Sequence, residues 1–209
     1  QAVLRSRAAF HTLDSTMEEA RRLAEAGEPE GSVVLAERQT AGRGRFRRAW
    51  TSCPGDDLLL SVLLRPSAAQ LPFLNMAASL AIAELADEAS SADVSIKWPN
   101  DVRIGGRKVA GILVETVVER SEPSHAVVGI GLNVNLDPSR HEAISSTATS
   151  LRREAGREIE RTQVLISLLG RLDTLYAQVR GGASLTLKWA SRLDTLGRRV
   201  EATWRGETI

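Results

Sequence analysis

The chain has 209 residues, of which 43% are hydrophobic and 25% charged. That is enough for one domain with a sizeable core, and too apolar for a disordered chain. The 27 lysines and arginines against 26 aspartates and glutamates leave a formal net charge of +1, without the basic excess of a protein committed to nucleic acid.

In chain order, residues 15–26 predict a helix. Ser15 and Glu18 have capping-box spacing, Ala20, Leu23 and Ala24 share a face, and Gly27 can end it. The β-branched run at 32–37 reads as a buried strand. Residues 42–48, rich in Gly and Arg and without apolar periodicity, read as a loop. A strand at 58–64, apolar with a serine in the middle, ends at Pro66, and an Ala- and Leu-rich helix follows at 73–89. A short strand at 94–98 is stopped by Pro99. Residues 101–104 and 108–118 predict a hairpin about Gly105-Gly106, and 126–134 a further strand with Gly129 and Gly131 inside it. A helical stripe runs from Val164 to Val179 within 162–180, with Thr162 as cap. A short helix around 184–192 and a strand at 198–204 complete the chain. Strands cluster centrally and helices flank them without regular βαβ alternation, so the expected class is α+β with a mixed sheet. The last strand, followed by a turn signal, reads as the start of a small second β domain.

Chemistry concentrates in four segments. The first, Gln39 to Trp50, carries Arg43, Arg45, Arg47 and Arg48 beside Gly42 and Gly44. Glycine permits close backbone approach, and arginine offers donor forks for carboxylate and phosphate. Such a loop suits an anionic ligand that is wrapped, and is expected to be mobile until that ligand arrives. It reads equally as a solvated basic loop or a nucleic-acid contact with Phe46 stacking; the P-loop spacing is absent. The second, Lys97-Trp98-Pro99-Asn100-Asp101, presents Asn and Asp at a strand end, where Asp101 can hold Mg²⁺ and Lys97 can meet a phosphate. Its plain alternative is an Asn-Asp turn with Trp98 in the core. The third, Gly106 to Glu115, opens an apolar strand with Lys108, placed to neutralise a carboxylate or phosphoryl oxygen unless it is a surface hairpin lysine. Gly111 leaves room there for a flat ligand. The fourth, Gly129 to Asn135, alternates two glycines and two asparagines, and Asn133 can both donate and accept.

One cysteine, Cys53, and three distant histidines, His11, His125 and His141, argue against a disulfide and against a protein-built transition-metal site. No Ser-His-Asp or Cys-His set is evident, so no covalent nucleophile is expected. Attack of a carboxylate on the α-phosphate of ATP, which needs positioning and charge neutralisation, fits better. A single thiol suits a reducing cytoplasm. No apolar run approaches membrane-spanning length, and the first residues lack the core of a secretion signal.

Together and in this order, the four segments resemble the biotin–protein ligase family, over residues 8–204. The Asp14-Ser15-Thr16 segment is similar to the family's early Ser-Thr. The resemblance implies a biotin/lipoate ligase-like catalytic domain over 1–195, with the start of a truncated SH3-like β domain at 196–209. It implies activation of biotin by Mg-ATP to biotinyl-5′-AMP, then transfer to a lysine of a biotin carboxyl carrier protein, a subunit of acetyl-CoA carboxylase or a relative. By matching position, Ser15, Thr16, Gln39, Arg43, Gly44, Arg45, Lys108, Gly111 and Gly129 line the biotin pocket. Trp50, Lys97, Asn100 and Asn133 face ATP or the adenylate, Asp101 binds Mg²⁺, and Lys108, Arg45 and Arg48 act in catalysis. A cytoplasmic enzyme that binds no DNA and is compatible with a homodimer is expected. The alternatives are a lipoate or octanoyl ligase, a nucleic-acid-binding module using the Gly-Arg loop, and an adenylate-binding scaffold without catalysis. Where this family usually has glycine, Arg47 stands, and an arginine there is expected to reduce the loop's conformational freedom.

Overall fold

The computed structural model describes residues 6–199, 201, 203–204 and 207–208. Seven strands form one sheet in the order β1-β2-β3-β7-β6-β5-β4. They are β1 (Ser6–Leu13), β2 (Ser32–Gln39), β3 (Leu58–Leu64), β4 (Val94–Lys97), β5 (Asp101–Ile104), β6 (Arg107–Glu119) and β7 (Glu122–Leu132). β1 and β2 are parallel, joined through α1 (Thr16–Glu25), and every other pairing in the sheet is antiparallel. Gly105 and Gly106 both have positive φ, as the tight turn between β5 and β6 requires.

The central strand β3 is buried along its whole length. Leu58, Leu60, Val62 and Leu64 face a layer made by α2 (Leu71–Ala89), α3 (Leu151–Ala155), α4 (Arg161–Arg180) and α5 (Thr186–Ala190). α2 is apolar nearly all round, which is the pattern of a helix covered on most sides. Its alanines let the sheet and α4 approach closely, and the indole of Trp189 on α5 donates to the Ser79 hydroxyl at 2.9 Å. The opposite face of the sheet has a smaller core of Met17, Ala20, Val34 and Val127 under α1. α1 covers only part of that face, and the rest lies under the Gly-Arg segment.

The expected class and most elements stand, with corrections at the helix caps. Ser15 is the N-cap of α1 by backbone position, but its side chain makes no capping bond, and Glu18 pairs with arginines instead. The carboxylate of Glu160, not Thr162, caps α4 by accepting from the amides of Thr162 and Gln163, both at 2.8 Å. β1 and α3 have no counterpart in the sequence reading. Of the strand expected at 198–204, residues 200 and 202 lie outside the described residues. Thr203–Trp204 (β8) pairs with Glu207–Thr208 (β9) as a short antiparallel ladder. No helix among the described residues is long and apolar enough to cross a membrane.

Candidate active site

The sheet face left open by α1 forms the floor of a cavity of about 330 Å³, a volume suited to a small organic ligand. Gly111 of β6 pairs with Gly131 of β7, and Gly129 pairs with Leu113 on one side and Ser61 on the other. These three glycines leave room for what lies above them. A Cβ on Gly111 would stand 2.8 Å from the Trp50 ring, and one on Gly131 would collide with the same ring. One on Gly129 would collide with the Met17 thioether. Glycine here is required by close approach and not by backbone angle.

One end of the cavity is a polar cluster. The Thr16 amide and hydroxyl both donate to Gln39 Oε1, at 2.8 and 3.1 Å, and the buried Ser61 hydroxyl donates to Thr16 Oγ1 at 2.9 Å. Ser61, fully buried behind Thr16, supports this cluster without lining the cavity and was missed, although a lone serine inside Leu58–Leu64 was its signal. The other end holds the charges. Lys108 Nζ lies 2.7 Å from Asp101 Oδ1 and 5.2 Å from the Trp50 ring centroid. β5 and β6 position that pair directly, because Asp101 is the partner of Gly111 in the ladder. The Asn100 amide donates to the Ile112 carbonyl at 2.9 Å and so fixes the same corner.

The Gly-Arg segment roofs the cavity and is more structured than a featureless loop. Arg43 bridges Ala49, the Gly44 amide donates to the Arg48 carbonyl, and the Trp50 amide donates to the Gly42 carbonyl. A short 3-10 turn spans Arg45–Arg47. The left-handed residue is Phe46, with φ 56°, so the backbone reversal does not fall at Arg47. Phe46 is 78% exposed and Arg45 stacks on it, with 5.0 Å from its guanidinium carbon to the ring centroid. Arg43 reaches across the mouth to Glu18 of α1 at 2.7 Å and Glu115 of β6 at 3.3 Å, two partners the sequence reading did not single out. Hydrogen bonding from Arg21, joined by the charges of Arg21 and Arg43, holds the Glu18 carboxyl below the usual range.

Every residue nominated from the sequence lines this cavity except Asn133. Asn133 is buried, two residues beyond Gly131, and its amide donates to the Thr149 carbonyl at 2.9 Å. Its Oδ1 has no partner, and neither has the buried Nε1 of Trp50, so a polar ligand can satisfy both. Asn135 bonds to both backbone groups of Ile159 and is structural. Trp98 is 61% exposed, which excludes it from the core. Lys97 and Trp98, at the end of the otherwise buried β4, form a rim of the cavity.

Folding also makes a contact that sequence distance concealed: Cys53 Sγ lies 3.1 Å from His141 Nε2. Burial, Asp56 and Asp57 push the thiol pKa up, so the pair lacks the depressed pKa of a nucleophilic thiolate. Among the described residues no three His, Cys, Asp or Glu side chains cluster as a metal site. A single carboxylate, Asp101, nevertheless suits Mg²⁺, which usually keeps waters and binds phosphates alongside one or two carboxylates.

Asp57 is buried where the segment rejoins β3. Its carboxylate accepts from the amides of Cys53 and Val134, each at 3.2 Å, but burial dominates and raises its pKa from 3.8 to about 7. The folded state therefore holds a proton that the unfolded chain has released. Stability from this group is complete below about pH 4 and is lost as pH rises through about 7. Urea unfolding across that range is expected to show the decline, and Asp57→Asn to flatten its slope. An unchanged slope in the variant would assign the decline to other groups.

A sequence model of the biotin/lipoate A/B protein ligase family matches residues 9–133. The chain belongs to that family. It is 36% identical over 195 residues to the bifunctional ligase/repressor BirA of Bacillus subtilis, covering 91% of this chain and 60% of that protein. It is 33% identical over 192 residues to the biotin–[acetyl-CoA-carboxylase] ligase of Mycobacterium tuberculosis, covering 88% and 69%. Among solved structures, the biotin protein ligase of Aquifex aeolicus in complex with biotin and ATP superposes with a TM-score of 0.79. That match has 31% identity and covers 98% of this chain and 85% of the other. The chain thus spans about 60% of the length of the Bacillus relative.

Proposed function

We propose that this chain is the catalytic unit of a biotin–protein ligase. In the first step a biotin carboxylate oxygen attacks the α-phosphorus of ATP and pyrophosphate leaves, giving biotinyl-5′-AMP. In the second, the deprotonated amine of a carrier lysine attacks the acyl carbon, and AMP departs with the bonding electrons. The carrier is a biotin carboxyl carrier protein of acetyl-CoA carboxylase or a related enzyme. The observation that carries the reading is the gathering of the Gly-Arg roof, the Lys108–Asp101 pair and the glycine floor around one cavity, in a chain with relatives named biotin–[acetyl-CoA-carboxylase] ligase.

Each residue's task follows from its place. The Thr16–Gln39–Ser61 cluster offers donors and acceptors to a cyclic urea, while the glycine floor accepts a flat bicycle. Lys108 neutralises the carboxylate and the charge growing on the α-phosphate. Arg45 and Arg48 of the roof supply further positive charge, and closure by Arg43 excludes water from a hydrolysable anhydride. Trp50 and Asn133 border the adenine with their unpartnered polar atoms, and Lys97 meets the phosphates from the rim. Asp101 would hold Mg²⁺, which supplies charge neutralisation on the polyphosphate.

Lipoate or octanoate ligation is the second reading, because the matching family includes it. Mass spectrometry of the protein incubated with ATP, Mg²⁺ and either biotin or lipoate separates the two. Biotinyl-AMP from biotin alone is the expected result; adenylate only with lipoate would move the chain to the second reading, and none with either acid would remove the enzyme claim.

A further inference from the structure

We propose that Arg161 is a positioning residue that staples together the two ends of the Gly-Arg segment and so sets how long the roof stays over a bound adenylate. β2 and β3 are paired only as far as Ala36 and Leu59. Beyond that point β2 continues alone against β1 to Gln39, while β3 begins at Leu58 against β7. The strands fork there, and a cavity of about 390 Å³ lies in the fork, lined by β1, β2, β3 and the start of α4. The Gly-Arg segment leaves from one prong and returns on the other.

Arg161, the first residue of α4, reaches into this fork. Its Nη1 donates to Glu37 Oε2 at 2.8 Å and to the Asp57 carbonyl at 3.2 Å, and its Nη2 donates to Glu37 Oε1 at 3.2 Å. One planar guanidinium therefore holds the last stretch of β2 and the residue preceding β3. Lysine cannot reproduce three donors in that fixed fork. α4 is a firm anchor, since its Val164, Leu165, Leu168 and Leu172 are buried in the main core. Apart from the roof's own cross-links between Gly42–Gly44 and Arg48–Trp50, the other ties near the segment each hold one end. Thr40 and Ala41 donate to the Leu13 and Asp14 carbonyls at its start, and Asp57 accepts from Cys53 at its finish. Arg161 spans both, well outside the cavity where ligand sits. Without it the prongs can part, and the Arg43–Arg48 roof loses its fixed hinge points.

This inference rests on the proposed ligase reading for its effect on adenylate, but its effect on the segment does not. The test compares the unaltered chain with Arg161→Ala, Arg161→Lys and a control, Arg171→Ala. That control, further along the same helix, removes ion pairs to Glu84 and Glu88. Tryptic cleavage at Arg43, Arg45, Arg47 and Arg48 is followed by mass spectrometry in the ligand-free folded proteins. Release of preformed biotinyl-AMP is followed separately. Arg161→Ala is expected to speed both by about fivefold, from the loss of one partly exposed charge-assisted contact. Arg161→Lys should fall between, and Arg171→Ala should match the unaltered chain. Equal cleavage in Arg161→Ala and either reference overturns the staple, whatever the ligand. Faster cleavage with an unchanged adenylate lifetime overturns its role in retention. If the unaltered protein forms no adenylate, the ligase reading fails while the cleavage comparison still decides the staple.

Discussion

Lys108→Ala is expected to slow biotinyl-AMP formation by about a hundredfold to a thousandfold, the usual cost of removing one group that stabilises transition-state charge. Lys108 is the lysine nearest the point where β5, β6 and the Trp50 ring meet, with its ammonium 2.7 Å from Asp101. Its loss does more than subtract one positive charge. It also leaves the Asp101 carboxylate without its ion-pair partner, so that only Mg²⁺ would offset its charge beside the incoming carboxylate and phosphates. Pyrophosphate release measured at saturating and limiting biotin distinguishes two roles. A fall in kcat with KM little changed places Lys108 on charge that develops during the reaction, whereas a rise in KM alone makes it a ground-state anchor. Full activity in the variant would discard Lys108 as a catalytic group.

Gly131→Ala is expected to damage function while sparing the fold. The added methyl would stand 2.6 Å from Cζ2 and 2.9 Å from Nε1 of Trp50, so the ring must leave its seat. A displaced aromatic wall costs on the order of a hundredfold in kcat/KM, as an ångström of misplacement typically does. Stability should move the other way, because glycine inside a strand is about 0.5–1 kcal/mol worse than alanine through backbone entropy. Titration calorimetry with biotin, run beside thermal unfolding, tests the split. Weak binding at an unchanged or higher Tm is the expected pair. Unchanged binding would mean that the Trp50 seat on Gly131 is irrelevant to ligand.

Local signals predicted the elements they dominate. The Val164–Val179 stripe, the Gly105-Gly106 turn and the apolar run at 58–64 each fix a helix, a hairpin or a buried strand through residues close in the chain. Ser6–Leu13 lacks such a signal: Arg7, Ala8, Ala9 and His11 do not alternate cleanly, and the segment is a strand because β2 lies beside it. Capping failed for a related reason. Glu18 has the spacing of a capping partner, but Arg43 and Arg21 compete for its carboxylate once the roof folds over α1.

The site divides along the same line. Glycines and arginines within one short segment announce themselves, whereas Ser61, Glu115 and Arg161 act only through partners far away in sequence. Asn133 was singled out by its alternation with the glycines, yet strand pairing ends at Leu132, and it is not among the residues that line the cavity. The Cys53–His141 contact had no local signature at all.

The strand order has a consequence for how the site comes into being. β3 is paired with β7, and the whole α2–β4–β5–β6 stretch lies between them in the chain. The cavity draws on residues from Ser15 to Gly131, so no subset of the early chain contains it. Its assembly waits on non-local pairing, the slow kind of contact to form, and is complete only when the central sheet closes. A ligand that recognises this cavity thus recognises the assembled sheet. Its binding energy adds to the stability of that sheet as a whole, and partial folding forfeits affinity and structure together.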